Sequence, residues 1–115
     1  CRPVTLDGRR YRALNPWSPT DGQLLEAVSR GEFMIQGFRN RDLRVLLYPR
    51  KGDFQQERQR SQRVSRLLAL LRAHGLIRKV SGTHRYQITE RGRRIITALL
   101  SARNADVDQL TQLAA

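Results

Sequence analysis

Apolar residues recur at helical spacing in several stretches of the chain, and each stretch predicts a helix. Leu24, Leu25 and Val28 form the stripe of the first helix, with Ser18 or Thr20 as its cap. The short apolar run 33–35 follows, and it predicts either a small strand or the base of a turn. These patterns place the start of a folded domain near residue 18, with residues 1–17 as an arm or linker.

A second, shorter helix is predicted from Leu43, Leu46 and Leu47, which share one helical face. Asn40 is its expected cap. The following stretch, 48–57, is polar and contains Pro and Gly, so it predicts a loop.

Residues 57–74 carry the clearest helical pattern, because they contain neither Gly nor Pro. One face of this third helix is apolar and comprises Val64, Leu67, Leu68 and Leu71. At 100° per residue, the opposite face carries Arg58, Gln62 and Arg66. Gly75 is the residue expected just beyond the helix end.

After the third helix the sequence pattern changes from that of a helix to that of a β-hairpin. Two strands are predicted over 76–80 and 85–89, joined by the turn 81–84. Thr89 would cap a further helix with an apolar stripe, made of Ile95, Ile96, Leu99 and Leu100. A final segment, 106–113, repeats apolar residues at helical spacing and could fold back on the domain or pair with a second copy. The folded domain is thus expected over 18–102, with 103–115 as a helical tail.

The positive charge is concentrated in one third of the chain. The 115 residues hold 22 basic and 10 acidic side chains, a formal net charge of +12. Residues 58–94 alone contain eleven basic residues and one acidic residue, Glu90. A surface that only keeps a protein soluble mixes both signs. A folded block of one sign favours a polyanionic partner.

The order of the predicted elements is that of a winged helix-turn-helix domain, a mainly α fold with a small β-hairpin wing (α+β). The stretch RVSRLLALLRAHGLIRKVSGTHRYQITERGRRI (63–95) resembles bacterial winged-helix regulators of the MarR and ArsR type. The shared features are a helix ending in HGLI, a two-stranded wing, and the YxxTxxG start of the next helix. The segment GFRNRDLR (37–44) is also similar to the C-terminal parts of long, poorly characterised bacterial proteins. The chain departs from MarR proteins by its longer loop 48–57 and by lacking a long N-terminal dimerisation helix.

The resemblance implies that the third helix enters the major groove of duplex DNA, that the wing contacts the backbone or minor groove, and that the domain acts in transcription regulation. The chemistry agrees, since Arg pairs bidentately with guanine and Gln with adenine. Arg63 and Ser65 flank the outer face and suit phosphates. Arg60 and Ser61 lie near the expected helix start, where backbone amides also favour phosphate. The candidate nucleic-acid-binding residues are Arg58, Ser61, Gln62, Arg63, Ser65, Arg66, Lys79, Thr83, His84 and Arg85.

Two other partners remain open from the sequence, an RNA and an acidic protein surface. A start without Met or a signal-peptide pattern leads us to expect the interior of a longer cytoplasmic chain, whose remainder is a further candidate partner. A homodimer is compatible with the sequence.

Several classes of site and protein are excluded. No apolar run has the ~18 residues of a membrane span. One cysteine and two histidines argue against a disulfide framework and a zinc site. The carboxylate pairs Asp53/Glu57 and Asp106/Asp108 have no nearby His, so we expect no enzyme, no metal and no cofactor.

Overall fold

A computed structural model describes the backbone of residues 2–114 and the side chains of residues 2–106. These residues form a mixed α+β domain in which helices predominate and the strands are short and antiparallel. None of the described helices combines the length and the apolar character needed to cross a bilayer. In chain order the elements are β1 Val4–Leu6, β2 Arg9–Tyr11, α1 Pro19–Val28, α2 Gly31–Gln36, β3 Phe38–Arg39, α3 Asn40–Leu47, α4 Phe54–Ala73, β4 Ile77–Lys79, β5 Arg85–Ile88 and α5 Glu90–Ala114.

The first helix, α1, begins where the sequence predicts. The Ser18 hydroxyl accepts a hydrogen bond from the Asp21 N–H at 3.1 Å, and Pro19 occupies the first helical position. The predicted stripe of Leu24, Leu25 and Val28 is fully buried. Ser18 is therefore confirmed as the cap.

Residues 33–35 are helical, so the expectation of a strand or turn base was wrong. They belong to α2, a short helix that Gly37 ends with a φ of 78°. The ring of Phe33 stacks on Phe38 at 5.2 Å, and Phe38 stacks on Tyr86 at 6.1 Å. A three-residue apolar run fits a buried helix turn as well as a strand, and here tertiary packing selects the helix.

The predicted hairpin is confirmed as β4 and β5, and a third strand joins it. Ile77 pairs with Ile88, and β3 adds to the other edge of β5 through the pair Phe38 and Tyr86. At Gly37 a Cβ atom would overlap the carbonyl oxygen of Tyr86, so this approach requires glycine. The sheet order β3-β5-β4 brings the residues before α3 beside the hairpin.

The long helix α4 begins at Phe54, three residues earlier than predicted, so the expected loop 48–57 is really 48–53. Asp53 accepts from the Gln56 N–H at 2.8 Å, and the Gln56 side chain accepts from the Asp53 N–H at 3.0 Å. This reciprocal capping box fixes the helix start. The Gly52 N–H also donates to Glu57, and this bond, with the nearby Arg60 and Arg44, lowers the Glu57 pKa.

Asn40 does not cap α3, contrary to the prediction. It is the first helical residue, and Asp42 accepts instead from the Arg39 N–H at 2.8 Å. The Asn40 side-chain amide donates to the Ser61 carbonyl at 3.1 Å and to the Ser65 hydroxyl at 3.0 Å. Its role is therefore to hold the start of α3 against α4.

Gly75 ends α4 as predicted, with a φ of 73°. The Leu76 N–H donates back to the Leu71 carbonyl at 3.0 Å, as in a Schellman motif. This turn directs the chain into β4. The buried hydrophobic core around it comprises Leu14, Leu24, Leu25, Ala27, Val28, Phe33, Phe38, Leu43, Val64, Leu68, Leu70, Leu71, Leu76, Ile77 and Ile96.

The last helix, α5, runs without a break to Ala114. Thr89 caps it as predicted, since its hydroxyl accepts from the Gly92 N–H at 2.9 Å. An ion pair between Arg103 and Glu26 joins it to α1. Folding back of the segment 106–113 would need a bend that the helix does not have. The side chains of its predicted stripe, Val107, Leu110 and Leu113, lie outside the described residues, as does Cys1.

The arm (residues 2–17) contains a hairpin that the sequence analysis did not predict. Its strands β1 and β2 meet at Asp7 and Gly8, whose φ angles of 51° and 76° are those that a type I′ turn requires. Leu14 is buried in the core, whereas Trp17 is 55% exposed. The arm thus packs back on the domain through Leu14 and not through Trp17.

A polar cluster fixes the arm to α1 and to the end of α4. Arg12 donates two hydrogen bonds to the buried Asp21 carboxylate, at 2.7 and 2.8 Å, and the Asn15 N–H donates a third at 2.9 Å. His74, buried at the α4 terminus, lies 2.8 Å from the Arg12 carbonyl oxygen through Nε2. Burial alone would raise the Asp21 pKa, but these hydrogen bonds, with the charges of Arg12 and His74, hold that pKa below its ordinary value.

Replacing Asp21 with asparagine is expected to reduce the free energy of unfolding by about 2 kcal/mol at pH 7. This is less than the roughly 3–5 kcal/mol for a fully buried pair, because Arg12 is half-exposed. A lowered folded-state pKa stabilises the protein above the unfolded value of about 3.9, and the contribution disappears as pH falls through the folded value. Urea unfolding at pH 7 and pH 3 should show a smaller wild-type advantage at pH 3, because the stabilisation begins to decrease below the unfolded pKa. An equal advantage at both pH values would contradict the ion-pair role.

Candidate nucleic-acid interface

The outer face of α4 presents the residues that the sequence placed there. Burial of Val64, Leu68 and Leu71 turns the opposite face of the helix outwards. Positions 58, 62 and 66 are one helical turn apart, and all three side chains are exposed. We refer to Arg58, Gln62 and Arg66 as the outer row. Its flanking residues Arg63 and Ser65 are also exposed, whereas Ser61 is half-buried.

Charges on the outer row have no acidic partner among the described residues. Within the part of the chain whose side chains are described, the guanidinium groups of Arg58, Arg63 and Arg66 form no ion pair or hydrogen bond. Five ion pairs join other described residues: Arg12–Asp21, Arg30–Glu32, Arg44–Glu57, Arg60–Glu57 and Arg103–Glu26. The guanidinium groups of Arg58, Arg63 and Arg66 are therefore available to bind an external anion.

Arg60, which the sequence placed near a phosphate-binding helix start, has a structural role. The helix begins six residues before it, so it does not lie in the first turn. Its guanidinium donates to the Arg50 carbonyl at 2.8 Å and to Glu57 at 2.9 Å. It also lies 5.0 Å from the centre of the Tyr48 ring. Arg60 thus holds the loop 48–53 against α4.

The four hairpin candidates divide into exposed and engaged residues. Lys79 and His84 are exposed beside the turn, where Gly82 has a φ of 73°. The Thr83 hydroxyl donates to the Val80 carbonyl at 2.9 Å and accepts from the Arg85 N–H at 3.1 Å, so it shapes the turn. The Arg85 side chain donates to the Gln36 carbonyl at 2.9 Å and ties β5 to the end of α2.

A basic groove of about 410 Å³ lies between α4 and the β4–β5 hairpin. The start of α3 forms its third side. Three of the predicted residues, Ser61, Ser65 and His84, meet there. None of its described lining residues is acidic. The complete lining is Arg39, Asn40, Arg41, Arg44, Ser61, Ser65, His84 and Tyr86.

Sequence reasoning missed the contribution of Arg39 and Arg41 to this groove. Both are exposed, and they reach it because β3 pairs with the distant strand β5, with Arg39 opposite Arg85. No local pattern around residue 39 carries that information. The charge density of the segment FRNRDLR was the available signal, but it did not indicate which surface the arginines would join.

Two more arginines of the arm lie at the other end of the outer row. Arg9 and Arg10 line a shallow groove of about 230 Å³ together with Arg66. The dipeptide Asp7-Gly8 between two short runs was the sequence signal for this hairpin. The basic surface thus extends from the hairpin, along α4, to the arm.

Of the two carboxylate pairs noted in the sequence, the structure describes both side chains of one, Asp53 and Glu57. Asp53 caps α4, and Glu57 is occupied by Arg60, Arg44 and the Gly52 N–H. Asp106 is exposed, and the side chain of Asp108 lies outside the described residues. Within the described part of the chain, no three His, Cys, Asp or Glu side chains are grouped as metal ligands would be.

Comparison with known proteins gives no relative for this chain. No family model, no curated protein and no solved structure matches it.

Proposed function

We propose that this domain is a winged helix-turn-helix module that binds duplex DNA. In this proposal α4 occupies the major groove, and the β4–β5 hairpin is the wing, which contacts the backbone or the minor groove. The order α3, α4, hairpin, α5 and the Asn40 contact between α3 and α4 agree with this architecture.

The observation that carries the proposal is the set of unpaired cations on the outer face of α4. Arg58, Arg63 and Arg66 are exposed and have no acidic partner in the described part of the chain. A polyanion supplies the missing counter-charges and gains affinity by releasing its own condensed ions. DNA phosphates are therefore better suited to this surface than a neutral or mixed-charge partner.

The spacing of the outer row fits the edges of stacked base pairs. Positions 58 and 66 are eight residues apart, about 12 Å along the helix axis. This length covers about three to four base pairs at the ~3.4 Å spacing along one strand. Arg58, Gln62 and Arg66 also have the side-chain types that bind guanine and adenine bidentately. The row can thus discriminate bases, beyond attracting phosphate.

The basic groove suits the phosphates beside that contact. Arg39 lies at the end of β3 and Arg41 in the first turn of α3, while Ser65 comes from α4 and His84 from the hairpin. Such contacts fix the orientation of a helix on the duplex without reading sequence. Phosphate contacts in the groove would therefore hold α4 in its orientation on the duplex.

A fluorescence-anisotropy titration tests the proposal with three probes of equal length at about 0.1 M salt. The probes are a random-sequence DNA duplex, an RNA duplex and a single DNA strand. We expect the DNA duplex to bind most tightly. Preference for the RNA duplex would replace the proposal with the RNA-binding alternative. Absence of binding to all three would overturn it and favour an acidic protein partner.

Gln62→Ala and Lys79→Gln are expected to act differently on DNA binding. Loss of a bidentate adenine contact should relax base preference at one position, with a cost of about 1–3 kcal/mol for the preferred site only. Loss of the Lys79 charge should weaken binding to every sequence alike. Site selection followed by titration of the selected and a scrambled duplex separates the two effects. Lys79 is a better probe than Arg85, whose removal would also release the Gln36 carbonyl.

If Gln62→Ala leaves the selected sequences unchanged, α4 does not read bases at that position. Equal loss of affinity for both duplexes would assign Gln62 to the backbone.

A further inference from the structure

The arm continues the exposed surface of α4 at the point where the outer row ends. The next position in the i+4 series after Arg66 is Leu70, which is only 4% exposed. Leu70 lines the same shallow groove as Arg9, Arg10 and Arg66. The arm thus lies where a further turn of the outer row would otherwise face solvent.

The position of the arm relative to α4 is fixed by buried contacts. Two hydrogen bonds join Arg12 to Asp21, and His74 at the α4 terminus contacts the Arg12 carbonyl. Leu14 is anchored in the core. Arg9 and Arg10 therefore belong to a hairpin that is already in place before any ligand binds, which reduces the entropic cost of using them.

The arm also carries unneutralised positive charge. Arg9 and Arg10 are exposed, and no described acidic side chain pairs with either. The Arg9 guanidinium lies 5.5 Å from the centre of the Tyr11 ring, a contact that leaves its charge intact. Asp7, the acidic residue of this hairpin, is exposed in the turn.

We infer that the arm is a second phosphate-binding element, in which Arg9 and Arg10 hold the DNA backbone beside the major groove that α4 occupies. This inference rests on the proposed function. Position 70 lies about 18 Å along the helix from position 58. That distance is about half as long again as the stretch from 58 to 66, and recognition helices contact base edges chiefly with their N-terminal residues. With the first turns of the row in the groove, the arm meets a phosphate strand and not base edges.

The test is the double substitution Arg9→Gln with Arg10→Gln, titrated against a duplex of about 20 base pairs across a salt series. Each lost phosphate contact reduces the slope of log affinity against log salt by about 0.9, so the slope should become shallower by about 2. Affinity at about 0.1 M salt should fall about tenfold or more. The sequences obtained by site selection should not change, because phosphate contacts carry no base information.

The matched control is Arg30→Gln with Arg103→Gln, which removes two charges that are paired with Glu32 and Glu26. It should leave the salt slope close to that of the wild type. A charge-conserving variant, Arg9→Lys with Arg10→Lys, should retain most of the slope and separates loss of charge from any disturbance of the hairpin.

The outcomes distinguish this inference from the proposed function. If the wild type binds the duplex but the Gln variant keeps the same affinity and slope, the arm does not bind phosphate and the proposed function is unaffected. If the Lys variant loses as much slope as the Gln variant, the arm acts through its structure, and the inference is wrong. If the wild type itself does not bind, the proposed function fails first.

Discussion

Replacing Gly92 with alanine is expected to destabilise the domain by at least about 3 kcal/mol. A Cβ atom at Gly92 would overlap the carbonyl oxygen and carbon of Leu76, so α5 or β4 must move. Two hydrogen bonds hold the start of α5 against residues 75 and 76. The Thr89 hydroxyl donates to the Gly75 carbonyl at 2.7 Å, and the Thr89 N–H donates to the Leu76 carbonyl at 3.0 Å. Forced displacement of packed backbone costs more than most surface changes, and a domain of this size has only about 5–15 kcal/mol in total.

Gly31→Ala is the matched control for this prediction. Gly31 is the first residue of α2, and a Cβ atom there meets nothing within 4 Å. Alanine should be neutral or slightly stabilising at that position. Thermal unfolding measures both, and a 3 kcal/mol loss corresponds to about 12–24 °C for a domain near this size. A melting temperature for Gly92→Ala close to that of Gly31→Ala would contradict the tight approach of α5 to β4.

Replacing Arg58 and Arg66 together with glutamine is expected to weaken binding to duplex DNA about 100-fold at about 0.1 M salt. Each side chain has both the charge for phosphate and the geometry for guanine, and a good bidentate base contact is worth about 1–3 kcal/mol. Neither arginine makes a hydrogen bond or ion pair within the described residues. The melting temperature should therefore stay close to that of the wild type.

The double variant Arg30→Gln with Arg103→Gln removes the same formal charge from a different part of the surface, where both arginines are paired. Comparable weakening by both double variants would show that net charge alone matters and that α4 has no special place in binding. A large difference between them localises binding to α4.

The parts of the fold that could be predicted have strong local signals. The stripe of α1, the apolar face of α4 and the positive φ of Gly75 follow from spacing and residue type. The start of α4 was misplaced, although the Asp53-x-x-Gln56 pattern carried the information. Loops and first helical turns are both rich in polar residues, so the predicted loop 48–57 included the first turn of α4.

Other parts depended on contacts between distant residues. The short strand β3 exists because Phe38 pairs with Tyr86, and that pairing also brings Arg39 to the basic groove. The arm hairpin has strands of three residues, too short for a period to be visible. The ion pair between Arg12 and Asp21 attaches it to α1. The sequence around each of these residues is typical of an exposed segment, so neither indicated the contact. For the candidate site, the outer row could be predicted from the sequence. The arginines at its two ends, Arg39 with Arg41 and Arg9 with Arg10, could not.

The salt dependence of wild-type binding to one DNA duplex shows whether the basic surface binds DNA phosphates. Affinity is measured by anisotropy at several salt concentrations between about 50 and 200 mM. We expect a steep linear fall of log affinity with log salt, with a slope corresponding to about six to ten phosphates and a loss of about 10³–10⁵ over that range. A slope near zero, or no binding at the lowest salt, would show that the basic surface does not contact DNA phosphates, and the proposed function would be wrong.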